Sequence, residues 1–86
     1  MNIIDYLTSL GFTRVEQSDI DGRFLDQDYI CLEGLYAELH DDGMFFLWTD
    51  PYNPILKINS KAVKPFSLNM QVLGIIQGLR LHIKII

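Results

Sequence analysis

The hydrophobic positions of the chain follow two different spacings in turn. Apolar residues recur at helical intervals near the start, which predicts a helix over residues 2–10 with Asn2 as its N-cap and Gly11 as its C-terminal stop. The same spacing returns after Ser67, a suitable N-cap, and predicts a second helix over residues 68–78.

Between and after these helices, apolar and polar residues alternate in the way typical of strands. The predicted strands are residues 12–16, 29–40, 44–50, 55–58 and 79–85. Residues 17–28 form a long polar connection that is rich in Asp. The predicted order is α-β-β-β-β-α-β. It indicates an α+β fold, with a mainly antiparallel sheet of four to five strands and two helices on one face, in a single domain of residues 1–86.

Asp42 and Gly43 lie between two aromatic-rich runs, which is the pattern of a β-hairpin closed by a two-residue loop. That loop sets the register, so that Ala37 faces Trp48 and Leu39 faces Phe46. The predicted core face has Ala37, Leu39, Met44, Phe46 and Trp48, and the predicted outer face has Tyr36, Glu38, His40, Phe45, Leu47 and Thr49.

The same register conflicts with the first half of the hairpin. It turns Glu33 inward and turns Ile30 and Leu32 outward. One extra residue in a bulge flips every side chain upstream of it, and Gly34 tolerates the required conformation. We therefore expect a β-bulge at Glu33-Gly34.

Charge is distributed unevenly along the chain. All eleven acids lie in residues 1–50, opposed there only by Arg14 and Arg23, which gives −9, whereas residues 51–86 have a charge of +5. Either the two halves neutralise each other across a shared sheet, or the acidic half is a surface for a basic partner. The basic residues are spread along the chain rather than clustered, so we expect no direct nucleic-acid binding.

Length and composition restrict the class of protein. An 86-residue chain with 49% apolar residues has room for one core and little room for a deep catalytic pocket. Cys31 is the only cysteine, which fits a reducing compartment. Asp5 interrupts the first apolar residues, and no uncharged apolar stretch approaches the roughly 18 residues of a membrane span. We expect a cytoplasmic protein without membrane contact.

Three motifs resemble metal or nucleophile sites, and each has a simpler interpretation. Residues 17–28 place acids at three positions of an EF-hand-type loop, but the loop begins with Gln17 and ends with Asp28 instead of the longer Glu. His40-Asp41-Asp42 fits a hairpin turn better than a metal site. Cys31 lies among apolar residues and is typical of a core position. We expect no metal, no cofactor and no catalytic residue.

Two surfaces remain for a partner. Five acids in residues 16–28 are opposed only by Arg23. If both helices cover the predicted core face, the outer hairpin face exposes its aromatic rings to solvent. If one helix covers each face of the sheet, the outer hairpin face is buried as well. The predicted partner-binding residues are Asp19, Asp21, Asp26, Asp28, Tyr36 and Phe45.

These features predict a small, acidic, non-catalytic protein-interaction module. It would inhibit or modulate a larger basic, nucleic-acid-handling protein, by analogy with phage or mobile-element inhibitors and immunity proteins. The alternative is a self-associating structural or accessory subunit, a homo-oligomer that pairs through an edge strand or the outer aromatic face. A third hypothesis is a small metal-dependent sensor or enzyme centred on residues 19–28.

Overall fold

The computed structural model describes residues 2–15, 28–50 and 52–83. Its elements are α1 (Ile3–Ser9), β1 (Thr13–Arg14), β2 (Asp28–Leu32), β3 (Leu35–Leu39), β4 (Met44–Trp48), β5 (Leu56–Asn59), a short 3₁₀ turn (Ser60–Ala62) and α2 (Pro65–Gly78). The predicted α+β class is confirmed. The described order is α-β-β-β-β-β-α. The predicted strand of residues 29–40 is divided into β2 and β3, and the described part of the predicted strand 79–85 is not a strand.

The five strands form one antiparallel sheet in which each strand pairs with the next along the chain. β1 and β5 are the two edges, so the prediction of a short edge strand after α1 is confirmed. Because the order in space equals the order in sequence, no connection between neighbouring strands has to cross the sheet.

Both helices pack on the same face of the sheet, as the sequence predicts. α1 buries Ile3 and Leu7 there, and α2 buries Leu68, Val72 and Ile76. The strands contribute Ile30, Leu35, Ala37, Phe45 and Leu47 to the same core. Burial of each large apolar side chain stabilises the fold by about 1.5–3 kcal/mol.

The helix ends follow local rules. The side chain of Asn2 caps α1 by accepting from the backbone N–H of Asp5 at 2.8 Å, and Gly11 follows the helix with a φ of 113°. α2 begins at Pro65, three residues before its predicted start, and Ser67 is therefore inside its first turn instead of at the N-cap. Proline suits this first position because its φ is already helical and its missing N–H is not needed there.

Glu33 and Gly34 form a turn between β2 and β3, so the predicted bulge in a single long strand is wrong. Both residues have positive φ, 49° and 82°, and Leu32 pairs directly with Leu35. Two consecutive positive φ values are the geometry of a type I′ hairpin turn. The turn reverses the chain and leaves Ile30 and Leu32 on the core side, where the bulge was expected to put them.

The loop between β3 and β4 has three residues instead of the predicted two. The N–H of His40 donates to the carbonyl of Met44 and the N–H of Gly43 donates to the carbonyl of His40, both at 2.9 Å. Gly43 has a φ of 95° and closes the loop in the left-handed region. A turn followed by a left-handed glycine is the common three-residue hairpin loop.

This extra loop residue moves the β3–β4 register by one. Ala37 pairs with Leu47 and Tyr36 with Trp48, so the predicted pairs Ala37/Trp48 and Leu39/Phe46 are wrong. A one-residue slip sends each side chain of a strand to the other face. β4 therefore buries Phe45 and Leu47 in the core and turns Met44, Phe46 and Trp48 to the opposite side. The predicted faces of the β3 residues are correct: Ala37 and Leu39 face the core, and Tyr36 and Glu38 face away from it.

The chain after α2 does not form the predicted strand in its described part. Arg80 has a φ of 58°, and residues 81–83 have no strand pairing. The backbone N–H of His82 instead donates to the carboxylate of Glu33 at 3.3 Å. Leu81 and Ile83 still pack against the core, as the alternation of apolar residues indicates.

Candidate functional site

The sheet face opposite the helices is the candidate functional site, and we call it the outer face. Its described residues include Tyr36 and Glu38 of β3, His40 just after β3, Met44, Phe46 and Trp48 of β4, and Lys57 of β5. Trp48 and Glu38 are buried there, while Tyr36, His40 and Phe46 are half-buried. The face thus combines partly exposed rings with a buried carboxylate.

Glu38 lies at the centre of this face and is only 2% exposed. Its Oε1 accepts a hydrogen bond from the indole Nε1 of Trp48 at 2.7 Å, and its Oε2 pairs with the imidazole Nε2 of His40 at 3.0 Å. A buried carboxyl group requires hydrogen-bond partners for its oxygens, because it has lost its contacts with water. Glu38 therefore fixes the orientation of both ring systems.

The aromatic rings are held by cross-strand packing. Tyr36 and Trp48 are paired residues, and their rings stack with centroids 4.4 Å apart and planes 7° from parallel. On the neighbouring row, the rings of His40 and Phe46 are 4.8 Å apart. Such contacts contribute about 0.5–1.5 kcal/mol each beyond burial. The rings are therefore preorganised instead of freely rotating.

Lys57 places a cation against this face. Lys57 pairs with Phe46 across β4 and β5, and its Nζ lies 5.7 Å from the centroid of the Phe46 ring. The negative face of an aromatic ring attracts ammonium and guanidinium groups at this distance. The face has the chemistry to accept Lys or Arg side chains from outside.

A second pairing of His with Glu lies away from the outer face cluster, at the β2–β3 turn. The imidazole Nδ1 of His82 donates to Glu33 Oε1 at 2.9 Å, and the side-chain and backbone donors of His82 hold the pKa of the Glu33 carboxyl below its usual 4.5. Both groups are exposed, so this pair stabilises the fold only weakly.

The sequence motifs with metal or catalytic potential fall into ordinary structural roles where they are described. Asp41 and Asp42 belong to the hairpin loop, where Asp42 Oδ1 accepts from the N–H of Met44 at 2.9 Å. Cys31 is a half-buried free thiol that pairs with Tyr36 on the side of the sheet opposite the helices, so its predicted core position is wrong. In the described part of the chain, no group of three or more His, Cys, Asp and Glu residues is placed to hold a metal ion. The loop of residues 17–28 lies outside the described residues except for the backbone of Asp28.

The predicted partner-binding residues have different outcomes. Tyr36 is on the outer face as expected, but Phe45 is fully buried in the core and cannot contact a partner. Asp28 begins β2 opposite Leu39, and Asp19, Asp21 and Asp26 lie outside the described residues.

Phe46, Trp48 and Lys57 are outer-face residues that the predicted site does not include. A three-residue loop Asp41-Asp42-Gly43, with glycine in the third place, would have given the register that puts Phe46 and Trp48 on the outer face.

Comparison of the chain with models of protein families, with curated proteins and with solved structures finds no match. Among the described residues, no helix is long and apolar enough to cross a lipid bilayer.

Proposed function

We propose that this protein is a non-catalytic interaction module that binds a larger basic protein and modulates it. The observation that supports this most directly is the outer face, where half-buried Tyr36 and Phe46 lie beside the carboxylate of Glu38. The faces of partly exposed aromatic rings attract the arginine and lysine side chains of a partner, while the buried Glu38 holds the neighbouring rings in place.

The charge distribution supports the same class of partner. Residues 1–50 have eleven acids and two arginines. Acidic surfaces raise the association rate with a basic protein and lower it with acidic competitors. A basic nucleic-acid-handling protein in the cytoplasm, inhibited by occupation of its nucleic-acid-facing surface, is the partner that this chemistry fits.

The experiment measures binding to the partner captured from the natural host, first in a pull-down and then with purified components. We expect the captured protein to be basic, and its association rate to fall as salt rises while its dissociation rate changes less. The double substitution Asp19→Asn with Asp21→Asn should weaken binding. The charge-matched control, Asp5→Asn with Asp41→Asn, should leave binding nearly unchanged.

The opposite pattern would contradict the acidic contribution. If affinity is indifferent to salt and to the Asp19 and Asp21 substitutions, while Tyr36→Ala or Phe46→Ala abolishes it, the aromatic outer face alone is the interface. If none of these changes has an effect on a folded variant, the proposed surface is wrong.

A further inference from the structure

The solvent side of α2 differs from that of an ordinary surface helix. None of its 14 residues, Pro65–Gly78, is charged, and it has no acid in its first turn and no base in its last. A surface helix of a soluble protein normally has charged residues opposite its buried stripe. The exposed polar residues of α2 are Ser67, Gln71 and Gln77, which are uncharged, so covering this side costs less than covering charged side chains.

Four residues at intervals of four form a ridge along this exposed side. Phe66 is 73% exposed and Met70 39% exposed, and Gly74 and Gly78 continue the same row. A Cβ placed on either glycine would meet no atom within 4 Å, so the space above both is open. The ridge, which we call the α2 ridge, is bulky in its first half and flat in its second.

We infer that the α2 ridge binds a second copy of this chain, with the two helices antiparallel. A two-fold axis at the middle of the ridge places Met70 over Gly74 of the second copy, and Phe66 reaches toward Gly78 of that copy. Each large side chain then enters the space left by a glycine, and the glycines allow the helix axes to approach toward the short end of the usual 8–10 Å. A parallel pair would instead place each large residue against a large one.

The charges beside α2 distinguish this surface from the one proposed above for a basic partner. The charged residues next to the helix ends are Lys64 and Arg80, both exposed cations, which disfavour a basic protein at this surface. An antiparallel contact brings the Lys64 end of each helix toward the C-terminal end of the other, where free carbonyl groups favour a cation. Lys64 and Arg80 of opposite copies repel each other, but exposed charges are screened at ordinary salt.

The contact area limits the strength of this dimer. α2 is about 21 Å long, and one helix pair of this length buries less than the roughly 1,200 Å² typical of a stable complex. We therefore expect a weak, concentration-dependent dimer, with a dissociation constant of about 10 µM to 1 mM.

Sedimentation equilibrium of the purified full chain, up to about 1 mM protein, tests the inference. Phe66→Ser and Met70→Glu should each weaken association at least about tenfold, because each removes an apolar side chain from the contact. Tyr52→Ser is the matched control: Tyr52 is 89% exposed and lies outside α2, so its loss should leave association unchanged. Circular dichroism checks that every variant is folded.

A mixing experiment tests the orientation. Met70→Glu and Gly74→Lys should each be monomeric alone, whereas an equimolar mixture should associate. An antiparallel heterodimer places the new carboxylate against the new ammonium group and keeps one native contact of Met70 with glycine.

Three results would overturn the inference: a monomer at every concentration, association that Phe66→Ser does not weaken, or a mixture no tighter than its components. None of these results depends on the basic partner, so failure here and failure of the proposed function are distinguishable.

Discussion

Phe45 and Phe46 are neighbours that lie on opposite faces of β4, which makes their truncation a direct test of the register. Phe45 is 0% exposed in the core, so Phe45→Ala should destabilise the fold by about 3–5 kcal/mol. Phe46→Ala removes a ring contact with His40, about 0.5–1.5 kcal/mol, and an exposed cation contact with Lys57, about 0.5–1 kcal/mol. These two contacts sum to about 1–2.5 kcal/mol, so Phe46→Ala should cost less than Phe45→Ala.

Urea unfolding followed by circular dichroism measures both free energies. A loss of 1 kcal/mol lowers the Tm of a domain of this size by about 4–8 °C, so the two variants should be well separated. The free energy lost in Phe45→Ala is a large fraction of the roughly 5–15 kcal/mol that stabilises a whole domain. If it does not fold, Phe45→Leu against Phe46→Leu preserves the comparison, with an expected cost of about 1 kcal/mol for the first and less for the second.

The opposite order of costs would refute the reasoning. In the register of a two-residue loop, Phe46 is the core residue and Phe45 the outer one, so Phe46→Ala would cost more. Equal costs would mean that both faces of β4 are covered equally. Either result would require a different placement of Met44–Trp48 against β3.

Three further predictions concern single sites. Gly34→Ala should destabilise the fold by about 1–2 kcal/mol, because Gly34 has a φ of 82°. Gly74→Ala should stabilise the fold by about 0.5–1 kcal/mol, because Gly74 lies inside a helix. Thermal unfolding of the dilute protein measures both changes. Glu38→Ala should shift the tryptophan emission and destabilise the fold by about 2–3 kcal/mol, because it removes a buried acceptor of an indole N–H. NMR titration should give Asp50 a pKa below its usual 3.8, because Asn53 and a backbone N–H donate hydrogen bonds to its carboxylate. The stability that results is present above pH 3.8 and is lost as the pH falls through the lowered pKa. Asn53→Ala should raise the pKa of Asp50.

The two helices could be predicted from the sequence because each has one apolar stripe, but a stripe does not tell which face of the sheet the helix covers. The α1 cap at Asn2 and the stop at Gly11 are local signals, and both are confirmed. The register of β4 could not be predicted in the same way. Its sequence, Met-Phe-Phe-Leu-Trp, is apolar on both faces, so burial alone does not distinguish Phe45 and Leu47 from Phe46 and Trp48.

The two loops show why turn signals are incomplete. Asp-Gly serves both as a two-residue loop and as the end of a three-residue loop, and the sequence favours neither strongly. Glu33 at a φ of 49° is not a residue that turn rules favour, so the turn at Glu33-Gly34 was predicted as a bulge. The length of the predicted strand, residues 29–40, was the available warning, since strands usually have about 5–6 residues.

The outer face and the α2 ridge differ in the one property that can separate their roles, which is their response to salt. Binding of a basic partner to the outer face and to the acidic residues 16–28 would depend on charge attraction. Salt screens this attraction, so association should weaken as ionic strength rises. The α2 ridge has no charge, its flanking cations repel their counterparts, and each chain has a net charge of −4. Screening reduces all of that repulsion, so self-association should strengthen modestly with salt. A dimer that dissociates when salt is added would therefore be held by the acidic and basic halves of the chain and not by α2.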